Sequence, residues 1–214
     1  MVSAATIPLL LVGAGGHAAS CLDVVDATGH FRVVGLVGRE SEMGASVGGY
    51  AVIGTDADLH SLRESVTHAL VVVGQIKTPN VRLALFEQLQ DFDFTLPVVT
   101  SPRAICSARA RIGVGTIVMH GAIINTGTQV GVNCIINSRA LLEHGVTVGD
   151  HCHISTAAVV NGDAVIGDGT FVGSGAVIRE GVRIGRRCLI GMGAIVRHDL
   201  PDESVFYGTP HHGA

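Results

Sequence analysis

A branched aliphatic residue recurs at every sixth position from Ile112 to Val196, and fifteen successive hexads keep this phase without a break. Four positions after each of these residues, which we call anchors, lies a second small or apolar residue such as Thr116 or Ala122. A strict six-residue repeat is typical of a parallel β-helix, in which each hexad forms one flat side and stacking buries the apolar positions. The anchors are Ile112, Val118, Ile124, Val130, Ile136, Leu142, Val148, Ile154, Val160, Ile166, Val172, Ile178, Ile184, Ile190 and Val196.

Three sides make one coil, so residues 18 apart should lie on the same side of adjacent coils. Five coils then rise by roughly 24 Å at the spacing of paired strands. A glycine directly follows one anchor in every coil, and because glycine accepts φ > 0 we predict a left-handed backbone at this corner. A stack of ordinary strands, the alternative, would not keep one phase for so long. These glycines are Gly113, Gly131, Gly149, Gly167 and Gly185.

The composition fits a narrow core and restricts the class of function. Aromatic residues make up 4% of the chain and Trp is absent, as expected where only small and branched side chains fit. A net charge of −4 with 14 Lys and Arg gives no basic field, so we predict no nucleic-acid partner. The early apolar run Ile7–Val12 is too short to cross a bilayer, so we predict a soluble, cytoplasmic protein without membrane contact. Cys134, Cys152 and Cys188 take the small inward hexad position and should be reduced core residues.

The first predicted elements are a strand, a glycine turn and a helix. Ile7–Val12 leads into a Gly-Ala-Gly-Gly-His turn, and helical periodicity follows as far as Val25. Glycines at such a turn let the backbone approach a diphosphate, and the helix N-terminus supplies N–H donors. His17 follows the turn and could contact that ligand or cap the helix. Phe31–Val37, the second predicted strand, is not followed by the acidic residue that holds the ribose of NAD, which argues against an NAD enzyme.

Strand and helix signals continue to alternate up to about residue 100, which is typical of a small α/β domain with a parallel sheet. Thr78-Pro79 is a helix start signal, because Thr is a good N-cap and Pro fits the first helical position. Val81, Leu85 and Leu89 give that helix an apolar stripe. The other predicted elements are a helix over 56–64, a strand over 69–73 and a strand over 96–99.

Polar residues interrupt the hexads at few places, and these carry a resemblance to a known family. Asn137 and then Leu142-Glu143-His144 lie on successive sides, and His153 follows. With the glycine turn, this pattern resembles the bacterial N-acetyltransferases of nucleotide-linked amino sugars, which belong to the left-handed β-helix (hexapeptide repeat) superfamily. The resemblance covers nearly the whole chain. It implies a Rossmann-like α/β sugar-nucleotide-binding domain over residues 1–100 and a left-handed parallel β-helix over residues 101–214 with a short C-terminal tail.

The resemblance also implies roles, with acetyl-CoA as cosubstrate, no metal and a homotrimer. His144 would be the base, the Gly162 N–H would meet the thioester oxygen, and His153 would help bind acetyl-CoA. Gly162 lies 18 residues after His144, so the two should stack with Cα atoms about 5 Å apart. His153 lies half a coil away and would approach them only across a subunit boundary. Tyr207-Gly208-Thr209-Pro210 resembles the Gly-x-Pro tail of these transferases. The implied nucleotide-sugar contacts are Gly13, Gly15, Gly16, His17, Gly38 and Arg39.

One position departs from the family pattern. Members have an acidic residue or Asn directly after the catalytic histidine to hold its ring, and this chain has Gly145. A substrate group, a backbone carbonyl or Glu143 are the alternatives for that role. Other histidines, His120, His151 and His198, are expected to be solvated surface residues. For His153, solvent exposure is the alternative to acetyl-CoA binding.

The second strand ends in Val37-Gly38-Arg39, where UDP-sugar members of the family present acidic residues. The missing carboxylates favour a larger base, and the resemblance then implies acetylation of a GDP-linked 4-amino-4,6-dideoxy sugar for surface polysaccharide. A UDP-linked amino sugar or sialic acid is the alternative acceptor. Alternatives of another class are a zinc lyase of the γ-carbonic-anhydrase type and an inactive trimeric scaffold. His144, His151 and His153 point from different sides, which argues against a zinc site.

Overall fold

The computed structural model describes residues 6–208, and contacts within the chain divide it into two units. The first unit runs up to Gly74 and resumes over Asn80–Pro102. The second unit contains Gln75–Pro79 and the chain from Arg103 onward. The predicted Gly-x-Pro tail extends past this range, since Thr209 and Pro210 lie outside the described residues.

The first unit is built on a five-stranded, mostly parallel sheet. Its elements are β1 (Ile7–Val12), α1 (Gly16–Thr28), β2 (Phe31–Val37), a 3-10 helix (Glu40–Glu42), β3 (Ser46–Val47), β4 (Tyr50–Gly54), a second 3-10 helix (Asp56–Asp58), α2 (Leu59–Leu62), β5 (His68–Val71), α3 (Asn80–Asp91) and β6 (Val99–Thr100). The strand order of the sheet is β3-β4-β2-β1-β5, and every adjacent pair is parallel except β3 with β4. This confirms the predicted α/β domain.

The central strand β1 explains why the glycine turn lies where it does. Its residues 9–12 are completely buried, as expected for a strand that is paired on both edges and covered on both faces. α1 starts after Gly15, whose backbone is extended, and ends at Gly29, where φ is 66°. Glycine adopts this left-handed conformation without strain and so terminates the helix. The turn between β1 and α1 is thereby fixed at the C-terminal end of the sheet.

The helix predicted at Thr78-Pro79 begins at Asn80, and Leu85 and Leu89 of its predicted apolar stripe are buried. The apolar stripe is wrong at Val81, which is 58% exposed. The buried face is completed instead by Arg82 and Phe86. A buried Arg is rare unless its guanidinium has partners, so hydrophobic periodicity alone does not find this face.

Two shorter predictions also differ in extent. The helix predicted over 56–64 is a 3-10 turn followed by the single α-helical turn of α2. Asp58 accepts hydrogen bonds from the Thr55 N–H and hydroxyl, which winds the first turn tightly. The strand predicted over 96–99 is reduced to Val99–Thr100, because Pro97 has no N–H to give to a ladder.

The second unit is a parallel β-helix of two-residue strands. These are β7 (Ile105–Cys106), β8 (Arg111–Ile112), β9 (Ile117–Val118), β10 (Ile123–Ile124), β11 (Gln129–Val130), β12 (Ile135–Ile136), β13 (Leu141–Leu142), β14 (Thr147–Val148), β15 (His153–Ile154), β16 (Val159–Val160), β17 (Val165–Ile166), β18 (Phe171–Val172), β19 (Val177–Ile178), β20 (Arg183–Ile184), β21 (Leu189–Ile190), β22 (Ile195–Val196) and β23 (Val205–Phe206). Ile123 pairs with Leu141 and Gln129 with Thr147, so the register of 18 residues is confirmed.

The anchors form the core of this unit. The fourteen anchors from Val118 to Val196 are at most 5% exposed, and only Ile112, at the first coil, is half-buried. Each fully buried aliphatic side chain stabilises the fold by about 1.5–3 kcal/mol. Cys134, Cys152 and Cys188 are buried free thiols among them, as predicted. Stacking of identical positions, not local propensity, therefore holds the coils together.

The prediction of φ > 0 at the glycine after an anchor is wrong. Left-handed residues lie three positions after the anchor instead, in every hexad from Ile112 to Ile190. The glycine column has another cause, since a Cβ on Gly113 would lie 2.6 Å from the carbonyl carbon of Gly131. A Cβ on Gly167 would meet Gly185 in the same way. These coils approach too closely for any side chain, so only glycine fits.

Within residues 6–208, the longest helices are too short and too polar to traverse a lipid bilayer.

Candidate active site

All six residues predicted to contact the nucleotide sugar line one cavity of the first unit. Its volume is about 470 Å³, and it lies beyond the C-terminal ends of β1, β2 and β5, where open α/β sheets bind ligands. The glycine turn forms one side, with Gly38 and Arg39 after β2 beside it. Sequence reasoning did not find the rest of the wall, because it comes from residues distant in sequence. The additional lining residues are Ala14, Val37, Glu42, Asp56, Val72, Val73, Gly74, Val81 and Leu85.

The glycines of the turn have two different physical roles. Gly13 has φ +126°, and a Cβ there would lie 2.9 Å from the Val73 backbone nitrogen, so this glycine allows β1 to pass closely by the end of β5. Gly15 and Gly16 are exposed, and a Cβ on either would meet nothing within 4 Å. Space over these two glycines is open to a ligand, as expected for a turn that a diphosphate approaches.

His17 lies in the first turn of α1, above a buried cation. The N-cap position of α1 is Gly15, which has no side chain to cap the helix. Arg82 is 1% exposed, and its Nη1 donates to the carbonyl oxygens of Val71 and Val73 at 3.0 and 2.7 Å. Burial and then the Arg82 charge lower the pKa of His17 to about 4. His17 is therefore a neutral imidazole at physiological pH, and Arg82 supplies positive charge beneath the turn.

The other side of the cavity carries two carboxylates. Glu42 accepts the Arg39 N–H at 2.8 Å and the Arg39 guanidinium at 2.6 Å, and these hydrogen bonds hold the pKa of Glu42 below its usual range. Burial raises the pKa of Asp56. Gly38 is packed tightly, since a Cβ there would lie 3.0 Å from the Glu42 Oε2 and 3.1 Å from the Ala14 Cβ. The carboxylates expected to be missing from this cavity are therefore present, and the sequence-based reason for favouring a larger base does not hold.

In the β-helix, His144 and Gly162 meet at one corner as the register predicts. His144 follows β13, is 63% exposed, and lies over Gly162 of the next coil. A Cβ on Gly162 would lie 2.5 Å from the His144 Cε1 and 2.7 Å from its Nε2, so only glycine admits the ring in this position. Within the described residues, no acceptor takes the Gly162 N–H. The corner therefore brings together a possible base and a free backbone donor.

Two carboxylates lie near His144, and one of them was not predicted. Glu143, one of the proposed partners, accepts a hydrogen bond from the Asn125 amide at 3.0 Å, on the preceding coil. Asp163, on the following coil, places its Oδ2 4.0 Å from the His144 Nδ1. The signal that could have found Asp163 is its spacing, because it lies 18 residues after Gly145.

His153 does not share this corner. It lies on β15 and is 6% exposed, which excludes the solvated alternative. Its Nδ1 donates to the Gln75 carbonyl oxygen at 2.7 Å, its Nε2 accepts from the Asn137 amide at 3.0 Å, and its ring contacts Phe171 edge-on. Both ring nitrogens are thus engaged within the second unit.

The remaining histidines differ in their surroundings. His198 is exposed, as predicted, whereas His120 and His151 are half-buried, and His151 is hydrogen-bonded to Asn133 at 3.0 Å. Between residues 6 and 208, no three His, Cys, Asp or Glu side chains cluster as metal ligands would.

Both halves of the chain match models of known families. The PglD N-terminal domain matches residues 8–89, the hexapeptide repeat of succinyl-transferase matches residues 127–161, and the bacterial transferase hexapeptide matches residues 163–198. A comparison with curated proteins finds no match.

Solved structures match over nearly the whole chain. The perosamine N-acetyltransferase of Caulobacter crescentus, solved as a His-to-Asn variant with CoA and GDP-perosamine, is 31% identical, with 94% of this chain and 93% of that one covered and a TM-score of 0.88. The acetyltransferase domain of PglB from Neisseria gonorrhoeae FA1090, solved with acetyl coenzyme A, is 30% identical, with 94% and 96% covered and a TM-score of 0.86. WeeI from Acinetobacter baumannii AYE, at 22% identity, 96% and 98% coverage and a TM-score of 0.83, shares the fold.

A Rossmann-like α/β unit with an open glycine turn, followed by a left-handed parallel β-helix, defines a class of acyltransferases. The chain belongs to the bacterial nucleotide-sugar N-acetyltransferases of the hexapeptide-repeat superfamily. It is an acetyl-CoA-dependent sugar N-acetyltransferase.

Proposed function

We propose that this enzyme acetylates the 4-amino group of a nucleotide-linked 4-amino-4,6-dideoxy sugar, with GDP-perosamine as the favoured acceptor, for surface polysaccharide. The observation that carries the proposal is the similarity, over 94% of this chain, to a perosamine N-acetyltransferase with bound CoA and GDP-perosamine. The cavity that gathers all six predicted nucleotide-sugar contacts supports it independently.

The two halves of the chain divide the work in this proposal. Residues 1–100 bind the nucleotide through Gly13, Gly15, Gly16, His17, Gly38 and Arg39, and residues 101–214 bind acetyl-CoA and carry the chemistry. Neutral His17 and the open amides of the turn suit a diphosphate, with the buried Arg82 charge behind them. The protein acts as a cytoplasmic homotrimer, so that acetyl-CoA binds at a subunit boundary.

At the β-helix corner, the amine nitrogen attacks the thioester carbonyl carbon in a ternary complex. The carbon–nitrogen bond forms, the carbon–sulfur bond breaks, and the amine proton passes through His144 to the leaving CoA sulfur. The Gly162 N–H donates to the oxyanion, a contribution on the order of 10²-fold for one such donor. Sequential kinetics follow from this route, and ping-pong kinetics would exclude it.

His153 is assigned to acetyl-CoA binding in the same proposal. Because its two ring nitrogens already bond to Gln75 and Asn137, it acts by holding these residues in place. The buried thiols of Cys134, Cys152 and Cys188 have no part in the transfer.

The nature of the cavity wall supports a guanine base. Carboxylates accept hydrogen bonds, and guanine presents two adjacent N–H donors on its pairing edge where uracil presents one. Asp56 offers such an acceptor, as do the remaining lone pairs of Glu42, which already accepts two hydrogen bonds from Arg39. The apolar side chains of Val81 and Leu85 can cover a base. A larger base with paired donors therefore gains more from this wall than uracil does.

Steady-state kinetics with GDP-linked and UDP-linked forms of one 4-amino sugar test this assignment. A buried donor or acceptor left unpaired costs about 1–3 kcal/mol, so kcat/KM should be roughly 5- to 150-fold higher for the GDP sugar. Preference for the UDP sugar would refute the GDP assignment and leave the N-acetyltransferase activity intact. GDP-mannose, which lacks the amine, is the control and should inhibit without being acetylated.

A further inference from the structure

We propose that Asp163, from the neighbouring coil, is the positioning residue for His144 and replaces the orienting side chain that Gly145 lacks. The inference rests on the proposed role of His144 as the base. Its physical basis is the stacking of residues 145 and 163, which take the same left-handed corner position on adjacent coils, with φ of 68° and 59°.

The backbone fixes Asp163 against His144. The Asp163 N–H donates to the His144 carbonyl oxygen at 2.9 Å, so the two residues keep one relative position. From there the Asp163 Oδ2 lies 4.0 Å from the His144 Nδ1. This distance exceeds a hydrogen bond, but both side chains are mostly exposed, at 63% and 74%, and a small rotation of either closes it. Catalytic hydrogen bonds are often long before substrate binds and shorten in the complex.

Gly145 and Asp163 are complementary in space. A Cβ added to Gly145 would overlap the Asp163 Oδ1, so the carboxylate fills the volume where a side chain of residue 145 would begin. The corner holds one orienting side chain, supplied from one coil or from the next. The other nearby carboxylate, Glu143, is held by Asn125 on the far side.

The role follows from imidazole chemistry. A neutral imidazole has two tautomers, and a base at Nε2 requires the proton on Nδ1. A carboxylate beside Nδ1 favours that tautomer and stabilises the imidazolium that forms when the amine proton arrives. Asp163 thus acts through His144 without touching the substrate.

The test compares Asp163→Asn, Asp163→Gly and the double variant Gly145→Asp/Asp163→Gly, which moves the carboxylate to the family position. Asn and Gly both tolerate φ near 60°, so the corner should keep its backbone. We expect kcat to fall roughly tenfold in both single variants, with KM for both substrates within about twofold, and to recover to within about threefold in the double variant. Glu180→Gln, which removes an exposed carboxylate one coil further on, is the matched control and should keep full activity.

A readout that needs no activity separates this inference from the proposed function. ¹⁵N NMR spectra of labelled protein, recorded at alkaline pH, report the tautomer directly. The His144 resonances are assigned as those that disappear from the spectrum of His144→Asn. The Nδ1–H form should predominate in wild type and in the double variant and should decrease in Asp163→Asn. An unchanged tautomer in Asp163→Asn would overturn the inference, even in an enzyme with the expected acceptor. A tautomer that responds as expected supports it, even if no sugar nucleotide is acetylated.

Discussion

The two units of this protein bring their candidate site residues together by different rules. In the β-helix, the spacing of 18 residues puts Gly162 under His144 and Asp163 beside Gly145, so stacking partners follow from arithmetic once the phase is known. In the α/β unit, the cavity is assembled from the ends of β1, β2 and β5 and from α3, with no period to relate them.

The two units also differ in the electrostatic surroundings of their histidines. His144 is exposed at a corner, and its proposed role as the base depends on which neighbours the coils stack against it. His17 is enclosed between α1 and the buried Arg82, and its protonation is coupled to the folding of the unit. Substitutions in the β-helix corner should therefore change kcat with little change in stability. In the first unit, some substitutions should change nucleotide binding and others should change the stability of the unit.

The largest effect is expected at the corner. His144→Asn should lower kcat about 100-fold, at the low end of general base catalysis, because a sugar amine is already partly neutral near neutral pH. An exposed side chain contributes little to the β-helix core, so the melting temperature should stay within about 2 °C. Initial rates of thiol release across pH, with both substrates saturating, measure the loss.

His198→Asn is the control for this prediction. His198 is exposed and takes the same corner position three coils further along, so its replacement should leave kcat unchanged. Full kcat at every pH in His144→Asn would show that His144 is not the base.

A smaller effect is expected on the stability of the first unit at acid pH. Folding lowers the pKa of His17 from 6.5 to about 4, so between these values the unfolded chain binds a proton that the folded chain does not. Stability is therefore full above the unfolded pKa and is lost as the pH falls. Between about pH 7.5 and about pH 5, this group should remove about 2 kcal/mol from the free energy of unfolding.

Hydrogen exchange at the amides of β1 measures this loss, and amides of the β-helix anchors in the same sample provide the internal control. In His17→Asn, which cannot titrate in this range, the pH dependence at β1 should decrease by that amount. An identical acid response of β1 in wild type and variant would show that His17 stays protonatable in the folded unit.

Much of the fold could be predicted because each unit repeats a pattern with a physical cause. The hexad anchors specify the β-helix and its register, and the continuous apolar run of β1 specifies a central strand. The wrong predictions concern positions where the residue type is compatible with two different structural explanations. Glycine after an anchor is compatible with φ > 0, but in this fold it is required by the close contact between coils. Val81 was assigned to the core by periodicity, but Arg82 takes that face with its guanidinium bonded to carbonyls.

The candidate site could be predicted where one motif contains its residues and could not be predicted where several segments build it. The glycine turn, His144 and Gly162 are candidates that local motifs or the register indicate. Glu42 and Asp56 were missed because their place in the cavity depends on how the segments after β2 and β4 fold back. Asp163 is adjacent to His144 only through the 18-residue register, which places it on the next coil, and not through the local sequence around His144.

The smallest effect is expected from opening or filling the glycine turn, and it distinguishes binding from packing within one loop. Gly15→Val places a side chain where nothing lies within 4 Å, so the fold should be retained while the nucleotide is excluded. KM for the sugar nucleotide should rise about tenfold, equal to about 1.4 kcal/mol, with KM for acetyl-CoA within about twofold. Gly13→Ala is the contrasting variant, because its Cβ would meet the Val73 backbone at a left-handed φ and should lower the melting temperature of the unit, which Gly15→Val should not. Equal increases of both KM values in Gly15→Val would contradict the division of binding between the two units, since the turn would then also serve the acetyl-CoA site.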